Sequence, residues 1–288
     1  MNKILDGKKL SSELRQQIKE KVDYIKRWNQ DEITLAIIQV GKDPASSTYV
    51  KNKNKACNDV GIKCLDYTFP DAWTVDDHDI IKLIMQLNSD AHINGILVQL
   101  PLPKHLNEQL ILQSIDPLKD VDCFHYANIG KLYTDHPTFL PCTPAGIIEI
   151  LGNNNIEIAG KECVIIGRSN IVGKPMGAMI MYQNATVTIA HSKTENLKDV
   201  CKRADILISA IGKPKFINNE YIKSGAVVID VGINKNENGK LCGDVDFEDV
   251  YDKCSFITPV PGGVGPMTIT MLLQNCVKCY CYQNGISY

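Results

Sequence analysis

A chain of 288 residues, 44% hydrophobic and 22% charged, has the composition of a soluble globular protein and the length for one large or two ordinary domains. Its formal net charge is −2, with basic residues scattered along the chain, so neither nucleic acid nor an anionic membrane surface is an expected partner. No apolar stretch reaches the roughly 18 residues of a membrane span.

The start of the chain runs directly into a helical pattern that contains acidic residues, without the look of a signal or transit peptide, so the cytoplasm is the expected compartment. Leu10, Leu14, Ile18, Val22 and Ile25 recur every three or four residues, which predicts an amphipathic helix from about Ser11. Ile33 to Val40 reads as a buried strand closed by Gly41, followed by a turn at Lys42-Asp43-Pro44 and a helix N-cap at Ser46-Ser47. On that helix Tyr49 and Lys53 lie four apart and share a face, which Lys55 does not. Gly61 ends it. A strand over Lys63 to Phe69, a helix over Asp76 to Leu87 and a strand over Ile93 to Leu100 come next, and Pro101 stops the last ladder. Gln99 therefore falls at the carboxyl end of a parallel strand, where open α/β sheets hold their ligands.

A short helix over Asn107 to Ile115 leads into a polar loop with three carboxylates, Asp116, Asp120 and Asp122, which reads either as functional or as a solvated turn. Pro141-Cys-Thr143-Pro144 opens another helix and, as a stiff crossing, marks the expected domain boundary. Further strands are expected at Cys163 to Ile166, Thr186 to Ala190, Asp205 to Ala210, Ala226 to Val231 and Ser255 to Pro259. Helices at Leu197 to Arg203, near Asn219 and from Thr268 to about Tyr282 separate or follow them. Such alternation specifies a parallel, doubly wound sheet.

The stretch from Gly160 to Met179 carries the clearest chemistry. An apolar strand ends in Gly167, and after Arg168-Ser169-Asn170 come Gly173, Pro175, Gly177 and a helix. A glycine-rich turn into a helix lets backbone N–H groups approach phosphate, although the spacing is not G-x-G-x-x-G. Arg168 and Ser169 would suit the ribose 2′-phosphate of NADP, and His191-Ser192 stands where an NAD site would carry a carboxylate. The alternatives are a solvated arginine on a plain turn and a helix N-cap at Ser192 or Thr194. Eleven cysteines are odd in number and scattered, and the one C-x-x-C, Cys276 to Cys279, lacks a second ligand pair. Reduced structural thiols and no metal site are expected.

Seven stretches in register make the chain resemble the bifunctional methylenetetrahydrofolate dehydrogenase/cyclohydrolase family, FolD type. They are Tyr49 to Lys55, Gly95 to Pro103, Lys119 to Asp122, Pro141 to Pro144, Gly167 to Pro175, His191 to Thr194 and Thr258 to Thr268. One departure is Cys123, where the family usually carries glycine. No synthetase extension is present, so no third activity is expected.

The resemblance implies an α/β fold of two domains with a cleft between them. Residues 1–140 would form a folate-binding catalytic domain on which the C-terminal helix, 268–288, packs back, and 141–267 a Rossmann-like NADP-binding domain. It implies oxidation of 5,10-methylene-tetrahydrofolate with NADP as cofactor, then hydrolysis of the methenyl product to 10-formyl-tetrahydrofolate, in a homodimer built through the cofactor domains. Lys53 matches the catalytic lysine, Gln99 the glutamine that tunes it, Tyr49 the tyrosine that orients folate and Asp122 the carboxylate that pairs with the pterin. Pro261, Gly262 and Gly263 would contact substrate at the cleft. Arg168, Ser169 and Ser192 would hold the 2′-phosphate, Gly167 and Gly173 the phosphate turn, and Thr143, Ile233 and Thr268 the nicotinamide side. Competing readings are another NADP-linked dehydrogenase of a small hydroxy or keto acid and a folate-binding relative without activity.

Overall fold

The computed structural model describes residues 3–42 and 44–288. The turn expected at Lys42-Asp43-Pro44 lies partly outside the described residues. The chain divides into two compact units, one of residues 13–140 with 272–288 and one of residues 1–12 with 141–271.

In the first of these units, helix α1 (Gly7–Asn29) continues from the other unit, and β1 (Thr34–Val40) and β2 (Lys63–Phe69) flank helix α2 (Pro44–Val60). Helix α3 (Asp77–Ser89), strand β3 (Gly95–Val98) and helices α4 (Glu108–Gln113) and α5 (Tyr126–Tyr133) follow. The three strands form a parallel sheet in the order β2-β1-β3. Every residue of β1 is buried, as expected for a central strand whose apolar run faces helices on both sides. Ala36, Ile38, Ile80, Ile84, Ile96 and Ile111 meet in the core of this unit.

The other unit contains α6 (Cys142–Asn153), β4 (Glu162–Ile166), α7 (Gly173–Tyr182), β5 (Thr186–Ala190), α8 (Leu197–Cys201) and β6 (Ile206–Ser209). After a 3-10 turn at Asn219–Tyr221 come β7 (Val227–Asp230), the hairpin strands β8 (Asn234–Lys235) and β9 (Leu241–Cys242), α9 (Phe247–Tyr251) and β10 (Phe256–Ile257). Its five-stranded parallel sheet has the order β10-β7-β6-β4-β5. The winding reverses between β4 and β6, so this is the topological switch point at which doubly wound sheets bind ligands.

Helix α10 (Val264–Gln283) closes the chain. From Leu272 onward it belongs to the β2-β1-β3 unit. There the Asn275 amide donates to the carbonyls of Val121 and Leu140, both at 2.8 Å, and the Gln283 amide donates to those of Asn94 and Leu118. Leu272, Leu273, Cys276 and Val277 are buried.

Several local expectations change. Helix α1 starts at Gly7, a turn before Ser11, and the Lys8 N–H is satisfied by the Gly262 carbonyl. Ser46 and Ser47 lie inside the first turns of α2 and do not cap it; Ser47 Oγ instead accepts from the Gln39 amide at 3.1 Å. The last helix begins at Val264, within the Pro261 to Pro266 turn. Helix α8 has Asn196 at its N-cap position. Thr194 Oγ1 accepts instead from the His191 N–H at 2.8 Å, so neither Ser192 nor Thr194 caps it. All eleven cysteines stand outside disulfides, nine of them buried, and burial pushes the Cys163 thiol up to about 12. Among the described residues no helix is long and apolar enough to cross a membrane.

Candidate active site

Tyr49 and Lys53 stand one turn apart on α2, both half-buried, as the i, i+4 spacing requires. Burial raises the Tyr49 phenol above its ordinary value. One turn further, Cys57 is fully buried. Gln99 follows β3, where its N–H extends the ladder to the Ile38 carbonyl at 2.8 Å. The Lys53 Nζ donates to Gln99 Oε1 at 3.0 Å. The same amide donates from Nε2 to the Leu100 carbonyl at 2.7 Å. Burial pushes the Cys276 thiol well up, with Asp122 adding to the rise and Lys53 opposing it. One buried thiol is thus within electrostatic reach of both residues.

Asp122 is half-buried in the loop after α4, and its neighbours hold that loop by contacts the sequence did not announce. The Lys119 ammonium is buried and donates to the carbonyls of Leu87, Asn88 and Asp90 at 2.7–2.9 Å, at the carboxyl end of α3, where orphan carbonyls and the helix dipole favour a cation. Burial lowers its pKa, opposed by Asp116 and Asp90. The Asp120 carboxylate accepts from the backbone of Phe124 and His125 and from the Asn128 amide. Burial nevertheless raises its pKa. Cys123 takes the left-handed conformation, φ +60°, which costs a non-glycine residue about 1–2 kcal/mol. Its buried thiol donates to the Phe139 carbonyl at 3.3 Å. The loop therefore keeps a backbone suited to glycine despite the substitution.

In the other unit a glycine-bearing turn leaves the carboxyl end of β4. Gly167 has φ +129°, and a Cβ there would lie 2.4 Å from the Ala210 carbonyl oxygen at the end of β6. A Cβ on Gly173, the first residue of α7, would lie 2.1 Å from the Gly167 carbonyl oxygen. Only glycines permit this tight return at the switch point. Ser169 Oγ accepts from the N–H groups of Val172 and Gly173 at 3.2 and 3.4 Å. The parallel register pairs Ile166 with Ala190, and Gly167 N–H continues it to the Ala190 carbonyl. Arg168 and Ser192 accordingly leave adjacent strand ends, and both are exposed together with Ser169. A cationic, hydroxyl-bearing rim beside a ten-residue helix N-terminus fits a dinucleotide with an added phosphate.

Thr143, in the first turn of α6, and Thr268 on α10 share a hydrogen bond of 3.0 Å between their hydroxyls. Ile233, just after β7, is 48% exposed. Pro261 is exposed, whereas Gly263 is buried beneath the turn. The structure thus joins Lys53 to Gln99, Ser169 to Gly173 and Thr143 to Thr268. The sequence reading singled out the Asp116 to Asp122 loop without seeing that Lys119 and Asp120 hold it through backbone groups, and it missed two buried aspartates, Asp230 and Asp244, which hold loops in the same way.

Comparison with known proteins matches residues 5–122 to the tetrahydrofolate dehydrogenase/cyclohydrolase catalytic domain and residues 141–284 to the NAD(P)-binding domain of the same family. The bifunctional protein FolD of Agathobacter rectalis is 58% identical over 278 residues, 96% of this chain and 99% of the relative. The crystal structure of the bifunctional FolD of Campylobacter jejuni superposes with a TM-score of 0.93 at 49% identity, covering 96% of this chain and 97% of the other. The Trypanosoma brucei enzyme, solved with NADP cofactor and inhibitor, gives 0.92 at 35% identity, with 97% of each chain covered.

Proposed function

This chain belongs to the tetrahydrofolate dehydrogenase/cyclohydrolase family, and from that premise we propose that Lys53, steadied by Gln99, is the proton carrier of its cyclohydrolase step. The enzyme oxidises 5,10-methylene-tetrahydrofolate to the methenyl cation with NADP and hydrolyses that cation to 10-formyl-tetrahydrofolate. The observation that carries the assignment of the proton carrier is the 3.0 Å contact between Lys53 Nζ and Gln99 Oε1.

NADP, when bound, accepts the hydride from the methylene carbon. The chain's contribution to that step is alignment, because the product cation is resonance-stabilised and asks for no acid or base. Arg168, Ser169 and Ser192 hold the 2′-phosphate, and Gly167 and Gly173 shape the phosphate turn. Thr143, Thr268 and Ile233 line the nicotinamide side. Asp122 pairs with the pterin N–H donors, Tyr49 orients the folate, and the Pro261, Gly262 and Gly263 turn contacts it.

Hydrolysis does need proton transfer. The Lys53 amine takes a proton as water adds to the cation and passes it to solvent. It then moves the carbinol proton to the departing ring nitrogen as the carbon–nitrogen bond breaks. A neutral amide partner serves this exchange because its carbonyl accepts an N–H from either the amine or the ammonium and adds no negative charge that would trap the proton.

The same reading includes a homodimer through the cofactor-binding unit. Strand β5 is the outer strand of its sheet, and Ile189 on it and Met181 beside it are 38% and 49% exposed. Eleven cysteines outside disulfides suit a reducing compartment such as the cytoplasm. The deciding experiment supplies purified protein with methylene-tetrahydrofolate and either NADP or NAD, following methenyl absorbance and its decay. Reduction of NADP coupled to methenyl formation and then 10-formyl product is expected. Turnover of a simple hydroxy acid without folate turnover would overturn the reading.

A further inference from the structure

Two buried carboxylates stand beside the nucleotide turn without a part in the chemistry above. Asp244 is fully buried and yet accepts five hydrogen bonds. They come from Ser209 Oγ at 3.3 Å, from the N–H groups of Ile211 at 2.8 Å, Gly212 at 3.3 Å and Lys213 at 2.9 Å, and from the Asn234 amide at 2.9 Å. Ser209 ends β6, residues 211–213 lie in the loop that follows it, and Asn234 opens β8 just after the loop that leaves β7. So many converging donors satisfy a carboxyl group that is cut off from water.

Asp230, at the end of β7, holds Asp244 in turn. Its carboxylate accepts from the N–H groups of Gly232, Asp244 and Val245, each at 2.9 Å. The packing is reciprocal. A Cβ on Gly243 would lie 1.8 Å from Asp230 Oδ2, and one on Gly232 would lie 2.4 Å from the Asp244 carboxylate. Each aspartate therefore occupies the space over the glycine next to its partner, and neither can shift alone.

The first loop is continuous with Ala210, whose carbonyl abuts Gly167 at the switch point. The second carries Ile233, an apolar side chain left 48% exposed, flanked by Gly232 and by Asn234, which is bonded to Asp244. We propose that Asp244 is a positioning residue of the dehydrogenase step. By fixing residues 211–213 and, through Asn234, Ile233, it pre-forms one wall of the dinucleotide site. The wall faces the part of the cofactor common to NAD and NADP, so its loss acts on both, unlike loss of the 2′-phosphate contacts. This role rests on the cofactor assignment of Ile233 made above.

The test compares Asn234→Ala and Asp244→Asn with the parent by fluorescence titration of NADPH and of NADH, by the dehydrogenase KM for NADP, and by cyclohydrolase rate on methenyl-tetrahydrofolate with no nucleotide present. Asn234→Ala removes one charge-assisted hydrogen bond at a half-buried position, so it keeps the parental melting temperature within a few degrees. About tenfold weaker binding of both nucleotides, with faster amide exchange at Ile211 to Lys213 and cyclohydrolase within twofold of the parent, is expected. If Asp244→Asn does not fold, Asn234→Ala alone decides. Parental nucleotide binding in Asn234→Ala, or an equal fall in cyclohydrolase and dehydrogenase, overturns the positioning role. Failure of the parent itself to bind NADPH would instead remove the cofactor reading on which it rests.

Discussion

The Lys53 ammonium and the Gln99 amide form a pair whose orientation leaves no choice of rotamer. Nε2 of Gln99 is engaged by the Leu100 carbonyl at 2.7 Å, so Oε1 must be the atom that meets Lys53 Nζ at 3.0 Å. The amine can keep one N–H on that oxygen and turn its lone pair to a substrate water. Replacing Gln99 with glutamate would set a carboxylate against the amine and favour the charged form. Gln99→Glu should slow methenyl hydrolysis at pH 7 by about tenfold or more, about 1.4 kcal/mol, because a carboxylate in place of the neutral amide holds the proton on its partner. Hydrolysis of methenyl-tetrahydrofolate by Gln99→Glu at the parental rate would disprove the coupling.

Lys53→Met keeps an unbranched side chain out to Cε and removes the amine. Hydride transfer should persist, while ring opening is lost and methenyl absorbance accumulates during turnover with NADP. Hydrolysis of methenyl-tetrahydrofolate at the parental rate in this variant would show that another group carries the proton.

Arg168 leaves β4 beside the strand end that carries Ser192, and both are exposed. Arg168→Ala should raise the KM for NADP about tenfold, about 1.4 kcal/mol for a charge-assisted contact, with little change for NAD. Equal losses for both nucleotides would mean that the arginine does not read the 2′-phosphate.

How much of this was legible depended on where each signal resides. Strand β2 matches its expected bounds because turn residues bracket it, and Gln99 could be placed at a strand end because Pro101 stops the ladder. Helix α5 was missed because eight residues interrupted by Gly130 are too few to establish a period, although Tyr126, Ile129, Leu132 and Tyr133 stand at helical spacing, and the β8-β9 hairpin because two-residue strands show no period. Lys119 and Asp244 were invisible for a deeper reason. Lys119 is satisfied by carbonyls about thirty residues away in sequence, and Asp244 mainly by N–H groups of a loop at a similar distance. Backbone partners carry no side-chain signature, so a buried charge of this kind reads like any solvated one. That Tyr49 and Lys53 share a helix face, and that Arg168 and Gly173 lie on a glycine-bearing turn, was legible because helix spacing and turn chemistry are local, whereas the roles expected of Tyr49 and Lys53 came from the family resemblance.

Asp230 gives the last prediction, a dependence of stability on pH. Burial raises its pKa from 3.8 to about 6, the N–H groups of Val245, Asp244 and Gly232 pull it down, and the Asp244 charge pushes it up again. The folded state thus holds the proton more tightly than the unfolded chain. Below pH 3.8 both states are protonated and the group is neutral to stability. Between about 4 and 6 the unfolded chain releases its proton first, so this contribution falls as pH rises. Above about 6 it levels at a penalty of roughly 3 kcal/mol, since the two states differ by about two in pKa and each tenfold in proton affinity is worth about 1.4 kcal/mol. Asp230→Asn has no such slope, although its amide would face the Val245 N–H and add a constant cost. Urea unfolding of both proteins at pH 5 and 7.5 should therefore show the parent gaining about 1 kcal/mol relative to the variant at the lower pH. A difference that is constant, or that favours the parent at pH 7.5, would overturn the raised pKa of Asp230.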